Sequence, residues 1–229
     1  MNDFAHALAE IRGRIEMATT LAGRLPHSVK LIAVSKTVAA ERIQQAISCG
    51  QRDFGENYVA EAVDKIQQIN NPDVVWHLIG PIQSNKTRTI AEHFDWVHSI
   101  DRLKIAERLS TQRPPQRPPL QVMVQVNISG EASKSGVAPE DCVELCRAIH
   151  QLPHLQLRGL MAIPAPNAAE PRAPFQALEQ LRQHCSEATG ELDCLSAGMS
   201  DDFEAAIAEG ATHVRVGSAL FGARSSPAA

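Results

Sequence analysis

The sequence has 229 residues, of which 44% are hydrophobic and 21% are charged, and its formal net charge is −4. This composition is typical of a globular chain with enough apolar residues for a large core. The slight negative charge gives no long-range attraction for nucleic acid or anionic lipid, so we expect neither as a partner.

The first 24 residues carry charged side chains among the apolar ones, at Asp3, Glu10, Arg12, Arg14 and Glu16. This pattern disfavours a secretory segment and a membrane span, and we expect a cytoplasmic protein with reduced thiols on its five cysteines. Cys142, Cys146 and His150 recur every four residues along one predicted helix. A zinc site there would need a fourth ligand and a shorter span than the roughly 12 Å covered by eight helical residues, so we expect no metal.

An amphipathic segment at 3–21 comes first, and short apolar runs then alternate with longer amphipathic stretches. This rhythm is typical of repeated βα units and a parallel sheet. The pattern predicts strands at 31–35, 52–55, 76–80, 96–100, 121–127, 155–161, 193–196 and 213–216. It predicts helices at 39–49, 58–68, 84–93, 102–110, 139–151, 173–189 and 201–208.

Eight strands with helical crossovers predict an α/β protein of the (β/α)8 TIM-barrel class, preceded by an extra helix. The structural alternative is an open doubly wound sheet, which normally carries a glycine-rich turn where this chain has Ser35, Lys36 and Thr37. The proline-rich stretch 114–119 is interpreted as a rigid connection because the βα rhythm resumes after it. We therefore expect one domain over residues 1–229.

Lys36 directly follows the first predicted strand, at the end of a barrel where active sites gather. A desolvated lysine has a lowered pKa, and its neutral amine can form an imine with a carbonyl compound. Loops 197–202 and 217–222, after strands seven and eight, combine glycine with serine and favour an anion such as phosphate. The sequence therefore predicts a site for a phosphorylated aldehyde. The competing interpretation is that Ser200 only caps a helix and Gly217 only ends a strand.

Arg215 lies inside an apolar strand, where an unpaired guanidinium is costly. It needs an acceptor, which is either a carboxylate such as Asp101 or Asp193 or the nitrogen of a pyridine ring. Asn57 ends the second strand, next to the first in a barrel. It is a candidate for contacting a ring substituent beside Lys36, and helix capping is the alternative role.

Two further side chains are candidates on the same rim. His77, in the third strand, is a candidate for lining the barrel mouth, although a core histidine with satisfied hydrogen bonds fits its position equally well. Lys134 offers a cation in a loop, where lysines are commonly just solvated.

Seven ordered blocks of the sequence resemble the YggS/PROSC family of pyridoxal phosphate homeostasis proteins. The likeness extends over nearly the whole chain. The blocks are LIAVSK at 31–36, FGENY at 54–58, WHLIGPIQSNK at 76–86, SKSG at 133–136, GLMAIP at 159–164, GMSDD at 198–202 and VRVGS at 214–218. The resemblance implies a barrel of the alanine racemase N-terminal type.

The family resemblance implies that the chain holds pyridoxal 5'-phosphate (PLP) as a Schiff base on Lys36. It places Arg215 opposite the pyridine nitrogen and Asn57 near the ring. The residues that it places around the phosphate are Met199, Ser200, Gly217 and Ser218. It also implies a role in intracellular PLP and amino-acid homeostasis, with apo forms of PLP-dependent enzymes as candidate recipients. For the chain itself we expect a monomer.

The same resemblance bears on catalysis. Racemases with this barrel take a second base, a tyrosine, from an additional β domain of a partner subunit. The sequence contains one tyrosine, Tyr58, in the second βα unit, and we expect no such extra domain. We therefore expect a PLP holder without catalytic turnover and without catalytic residues. The alternatives are a single-domain amino-acid racemase, a Schiff-base aldolase, and an interaction module that uses the proline-rich loop.

Overall fold

The computed structural model describes residues 3–131, 135–165, 170–190 and 192–222. Eight parallel strands close into a barrel in chain order, and the first pairs with the last. The strands are β1 Lys30–Val34, β2 Asp53–Glu56, β3 Val75–Leu78, β4 Trp96–Ile100, β5 Leu120–Gln125, β6 Leu155–Met161, β7 Cys194–Ser196 and β8 His213–Val216. The predicted (β/α)8 barrel is confirmed, and the open doubly wound sheet is wrong.

The helices lie between the strands, as the alternating pattern predicts. They are α1 Asp3–Leu21, α2 Ala40–Ser48, α3 Val59–Ile69, α4 Thr87–His93, α5 Leu103–Gln112, α6 Pro139–His150, α7 Ala173–Thr189, α8 Phe203–Ala208 and α9 Ser218–Phe221. A 3-10 turn, Ser84–Lys86, leads into α4. None of the helices within the described ranges is long and apolar enough to cross a membrane.

The strands are short apolar runs buried between the barrel interior and the surrounding helices. Every residue of β4 and of β8 is buried, which is the pattern expected of parallel strands covered on both faces. Burial on both faces explains why the strands do not show a simple alternation of exposed polar and buried apolar residues.

The predicted N-terminal helix is present as α1. Phe4, Leu8, Ile11 and Ile15 recur at helical spacing and are all buried. The helix packs against α8 and α9, and the rings of Phe4 and Phe221 have centroids 5.1 Å apart. Because α8 and α9 follow β7 and β8, α1 supports the two segments that carry the predicted anion loops.

Two boundaries at these loops differ from the prediction. Helix α8 begins at Phe203, two residues later than expected, and Asp202 accepts the backbone N–H of Met199 at 2.6 Å. Ser200 therefore does not cap this helix. The short helix α9 was not predicted, because Ser218–Phe221 is only one turn long and its sequence also fits a loop.

The proline-rich stretch connects α5 to β5 without a helix or strand of its own. It is fastened by Arg113, which is buried and donates hydrogen bonds to the carbonyl oxygens of Ala91, Phe94 and Pro118 at 2.7, 2.8 and 2.9 Å. Burial lowers the pKa of Arg113 to about 10, so the side chain remains a cation at neutral pH. Main-chain oxygens thus satisfy this cation in place of a carboxylate.

Candidate functional site

A cavity of about 520 Å³ opens at the carboxyl ends of the strands. This volume lies within the range of small-molecule sites. The cavity brings together seven of the predicted site residues, which are Lys36, Asn57, Met199, Ser200, Arg215, Gly217 and Ser218. They come from segments following β1, β2, β7 and β8 and from β8 itself, so barrel closure is what assembles them.

Lys36 lies two residues beyond β1 and is partly buried. Its neighbours on both sides are held in place. Ser35 is fully buried, and Thr37 adopts a left-handed backbone conformation with φ 65°, which costs on the order of 1 kcal/mol for a residue other than glycine. The Glu61 carboxylate accepts the Thr37 N–H at 2.6 Å. Lys36 therefore projects from a backbone segment with a defined direction.

A buried ionic cluster lies behind this segment. The Lys65 ammonium donates to the backbone oxygen of Ser35 at 2.7 Å and to the carboxylates of Glu56 and Glu61 at 2.9 and 2.5 Å. Glu56 also accepts a hydrogen bond from the Ser35 hydroxyl at 2.6 Å. Desolvation raises the pKa of Glu56, and the charge of Lys65 opposes that rise. Through Lys65, the cluster links helix α3 to Ser35, the residue that precedes Lys36.

Arg215 reaches the cavity from β8 and is 4% exposed. It donates from Nη1 to the Ser196 hydroxyl at 2.7 Å and from Nη2 to the Ala162 carbonyl oxygen at 2.9 Å. Burial lowers the pKa of Arg215 to about 10, so it is protonated at neutral pH. A guanidinium has five N–H donors, more than the two bonds to described residues use, so Arg215 can also donate to a ligand acceptor.

The carboxylates considered as partners for Arg215 are engaged elsewhere. Asp101 pairs with Arg102 at 2.7 Å. Asp193 pairs with Arg158 at 2.5 Å. The interpretation that Arg215 forms an ion pair with Asp101 or Asp193 is therefore wrong.

The two predicted anion loops meet across the cavity. The hydroxyl oxygens of Ser200 and Ser218 lie 3.4 Å apart. Ser218 begins α9, and the first N–H groups of a helix have no acceptor within the helix. Gly198 has φ +91°, and a Cβ there would lie 2.8 Å from the Cα of Phe203. Glycine is therefore needed to shape the first of these loops.

Asn57 contributes an unsatisfied polar atom to the wall. Its Oδ1 atom is buried and has no hydrogen-bond partner among the described residues. A buried acceptor without a donor costs about 1–3 kcal/mol. A ligand carrying a donor group at this position, such as a ring hydroxyl, would remove that cost.

Of the other two candidates, only His77 is among the described residues, and it does not line this cavity. His77 is fully buried inside the barrel, where its ring nitrogens lie 3.0 Å from Asp53 and 3.0 Å from His98. It is the satisfied core histidine that the sequence left as the alternative. Lys134 lies outside the described residues.

Sequence reasoning missed several side chains. Arg42, from α2, and Thr37 also line the cavity. Cys185 of α7 joins Cys142 and Cys146, and the three sulfur atoms lie within 4.8 Å of one another. The first pair was visible from its spacing, but the approach of Cys185 depends on how α6 packs on α7, for which the sequence held no signal.

The fold and the cavity define a (β/α)8-barrel protein whose site combines an amine, a buried guanidinium and a pair of hydroxyl groups. The chain belongs to the alanine racemase N-terminal domain family, whose model matches residues 8–225. The pyridoxal phosphate homeostasis protein of Pseudomonas aeruginosa is 58% identical to it over 224 residues, covering 98% of this chain and 97% of that protein. The pyridoxal phosphate homeostasis protein of Escherichia coli K12 is 53% identical, and the match covers 98% of this chain and 98% of that protein.

A solved structure extends this comparison. PipY from Synechococcus elongatus, with PLP bound, superposes with a TM-score of 0.83 at 39% identity and covers 96% of this chain and 100% of its own. The resemblance to the pyridoxal phosphate homeostasis proteins and the alanine racemase N-terminal type of barrel are thereby confirmed.

Proposed function

We propose that this chain holds PLP as a Schiff base on Lys36 and serves cytoplasmic PLP and amino-acid homeostasis without catalytic turnover. The observation that carries the proposal is the cavity in which Lys36, Arg215 and the Ser200–Ser218 hydroxyl pair face one space. Homeostasis proteins more than half identical to the chain, and PipY with PLP bound, support the same ligand.

The residues of the cavity suit the parts of PLP. Lys36 would hold the cofactor through its amine, as an imine with the aldehyde carbon and with water as the other product. Ser200, Ser218 and the first N–H groups of α9 suit the phosphate, together with Gly217 and the Met199 backbone, because such groups donate to anions. Asn57 is assigned to a ring substituent through its unsatisfied Oδ1 atom.

Arg215 is assigned to the pyridine nitrogen. Because arginine keeps its proton, Arg215 would donate a hydrogen bond to the ring nitrogen, which would stay unprotonated. PLP supplies an electron sink when its ring is protonated, so this contact weakens the ability of the site to stabilise a carbanion. A holding role fits this arrangement better than transamination does.

The racemase alternative needs a second base facing Lys36. Among the described residues that line the cavity there is neither a tyrosine nor a histidine. Tyr58 is 57% exposed and is not part of the wall, and both ring nitrogens of His77 are engaged inside the barrel. These placements favour the non-catalytic role. We further propose that residues 1–229 form a single domain, that apo-enzymes are the recipients and that the monomer is the working state.

The decisive experiment is covalent trapping. Purified protein incubated with PLP should develop a visible absorption band, and borohydride should fix the cofactor mass to Lys36. Reduction also blocks tryptic cleavage after Lys36, so the labelled peptide should extend from Leu31 to Arg42. Lys36→Ala should abolish band and label. Lys86→Ala, which removes an exposed lysine outside the cavity lining, should retain both.

Turnover is tested separately on the loaded protein. Exchange of the Cα proton of amino acids in deuterated water should remain at the rate of PLP alone. Sustained exchange that depends on Lys36 would overturn the non-catalytic assignment while leaving PLP binding intact. Label on any lysine other than Lys36 would overturn the site itself.

A further inference from the structure

A continuous run of hydrogen bonds leads from the cavity into the barrel interior. Arg215 Nη1 lies 2.7 Å from Ser196 Oγ, which lies 2.8 Å from His98 Nδ1. His98 Nε2 lies 3.0 Å from His77 Nδ1, and His77 Nε2 lies 3.0 Å from Asp53 Oδ1. Asp53 is the first residue of β2, so this polar chain crosses the barrel from the cavity toward its amino end.

The aspartate end sets the direction of every bond when both imidazoles are neutral. An ionised aspartate can only accept, so His77 carries its hydrogen on Nε2. A neutral His77 then accepts at Nδ1 from His98 Nε2, and a neutral His98 accepts at Nδ1 from the Ser196 hydroxyl. Arginine can only donate, so the Ser196 oxygen accepts from Arg215. In this arrangement every donor points away from the cavity.

The environment keeps both imidazoles neutral. Burial lowers the pKa of His77, against the opposing effect of Asp53, and lowers the pKa of His98 well below its usual value. For Asp53, burial acts to raise the pKa, but the hydrogen bond from His77 and the charge of Lys30 lower it overall. The ring of His213, also buried, packs 5.9 Å from that of His98.

We propose that Ser196, His98, His77 and Asp53 are positioning residues that orient Arg215 toward the pyridine nitrogen of the cofactor. A guanidinium is a planar fork whose value as a donor depends on its orientation. Ser196 holds Nη1 and Ala162 holds Nη2, so the plane of Arg215 is fixed before any ligand enters. Because His98 takes the hydrogen of Ser196, the lone pairs of the serine oxygen are directed to Arg215.

The inference about the ring nitrogen rests on the proposed function, whereas the direction of the hydrogen bonds in the polar chain does not. The polar chain is therefore tested first, on cofactor-free protein labelled with ¹⁵N. Imidazole correlation spectra at neutral pH should show a hydrogen on Nε2 and none on Nδ1 for both His77 and His98, assigned with the His77→Gln and His98→Gln variants. A hydrogen on Nδ1 of either ring would overturn the proposal.

The positioning role is tested with PLP. Loss of a hydrogen bond to a charged group predicts that Ser196→Ala binds PLP about tenfold more weakly, with a shifted visible absorption band. Ser110→Ala removes another hydroxyl of a buried serine, one that donates to the Pro153 carbonyl oxygen, and should change neither. Ser196→Cys, which keeps the volume but accepts weakly, should show the same shift if the alanine variant fails to fold.

The outcomes separate the two proposals. Unchanged affinity and an unchanged band in the folded Ser196 variants would refute the positioning role while PLP binding stood. Absence of PLP binding by the wild-type protein would refute the proposed function and, with it, the role toward the ring nitrogen. The histidine tautomers measured in cofactor-free protein would still show whether the hydrogen bonds of the polar chain run in the proposed direction.

Discussion

Replacing Lys65 by methionine tests the buried ionic cluster behind Lys36. The side chain of Lys65 is 7% exposed and that of Glu56 is 0% exposed, so their charges have little access to water. Methionine keeps a similar length without the ammonium group. The variant leaves the Glu56 carboxylate with the Ser35 hydroxyl as its remaining partner among the described contacts.

The expected loss of stability follows from the contacts that disappear. Lys65 makes three hydrogen bonds, two of them to carboxylates, and removing one partner of a buried ion pair costs about 3–5 kcal/mol. The Glu56→Gln variant should cost less, about 1–2 kcal/mol, because Lys65 keeps Glu61 and the Ser35 carbonyl oxygen. The double variant should cost less than Lys65→Met alone, since no buried charge is left unpaired.

The pH dependence provides a second measure of the same charge. Desolvation already raises the folded-state pKa of Glu56, and loss of Lys65 should raise it further. The folded variant then binds more protons than the unfolded chain, so its stability falls as pH rises through that pKa. The deficit relative to wild type should therefore grow between about pH 5 and about pH 8.

Urea unfolding followed by tryptophan fluorescence and by circular dichroism measures these differences. Both tryptophans, Trp76 and Trp96, are buried, so their emission reports on the barrel. Free energies are compared only where the two probes give one transition. A loss below about 1 kcal/mol for Lys65→Met, as for a surface pair, or a larger loss for Glu56→Gln, would refute the reasoning.

Two further predictions concern stability. Burial lowers the pKa of His213 to about 3, so below about pH 6.5 the unfolded chain takes up the proton first and stability should fall by roughly 1.4 kcal/mol per pH unit from this residue alone. Urea titrations at about pH 7 and about pH 5 measure the slope, and His213→Phe should make it shallower; an unchanged slope would contradict the assignment. Gly159→Ala should prevent barrel formation, since its Cβ would lie 1.7 Å from the Cys194 carbonyl oxygen. In the control Gly13→Ala on α1, the added Cβ meets no atom within 4 Å, and the free energy of unfolding should rise by up to about 1 kcal/mol. Circular dichroism that shows both variants equally folded would contradict the clash at Gly159.

The elements were predictable where local sequence alone decides them. Strands β4, β6 and β8 match their predicted bounds, and each has apolar residues next to turn or helix-start residues that mark where the strand ends. The start of α8 was missed because Ser200, Asp201 and Asp202 are all residue types that favour helix starts. In the structure the Met199 N–H donates to Asp202, the residue directly before α8. Sequence spacing does not show which of these side chains will accept that hydrogen bond.

The cavity was predictable because barrel closure places the ends of β1 and β8 side by side. The interior polar chain was not, since it joins strands far apart in the sequence. A signal was nevertheless present. His77, His98 and Ser196 are polar residues inside otherwise apolar strands, and polar groups in such positions need partners. The sequence does not show which strand supplies the hydrogen-bond partner of each of these three residues.

The two buried polar systems share a position that stability alone does not explain. One lies behind Lys36 and the other behind Arg215, and both of these side chains line the cavity. Buried ion pairs are often no more stabilising than apolar residues of the same shape, so an apolar interior would serve the barrel equally well. Both systems instead hold a ligand-facing residue in place before ligand arrives, and preorganisation of this kind lowers the ordering cost of binding. We therefore expect variants in either system to weaken PLP binding more than variants of matched apolar core residues with an equal loss of stability.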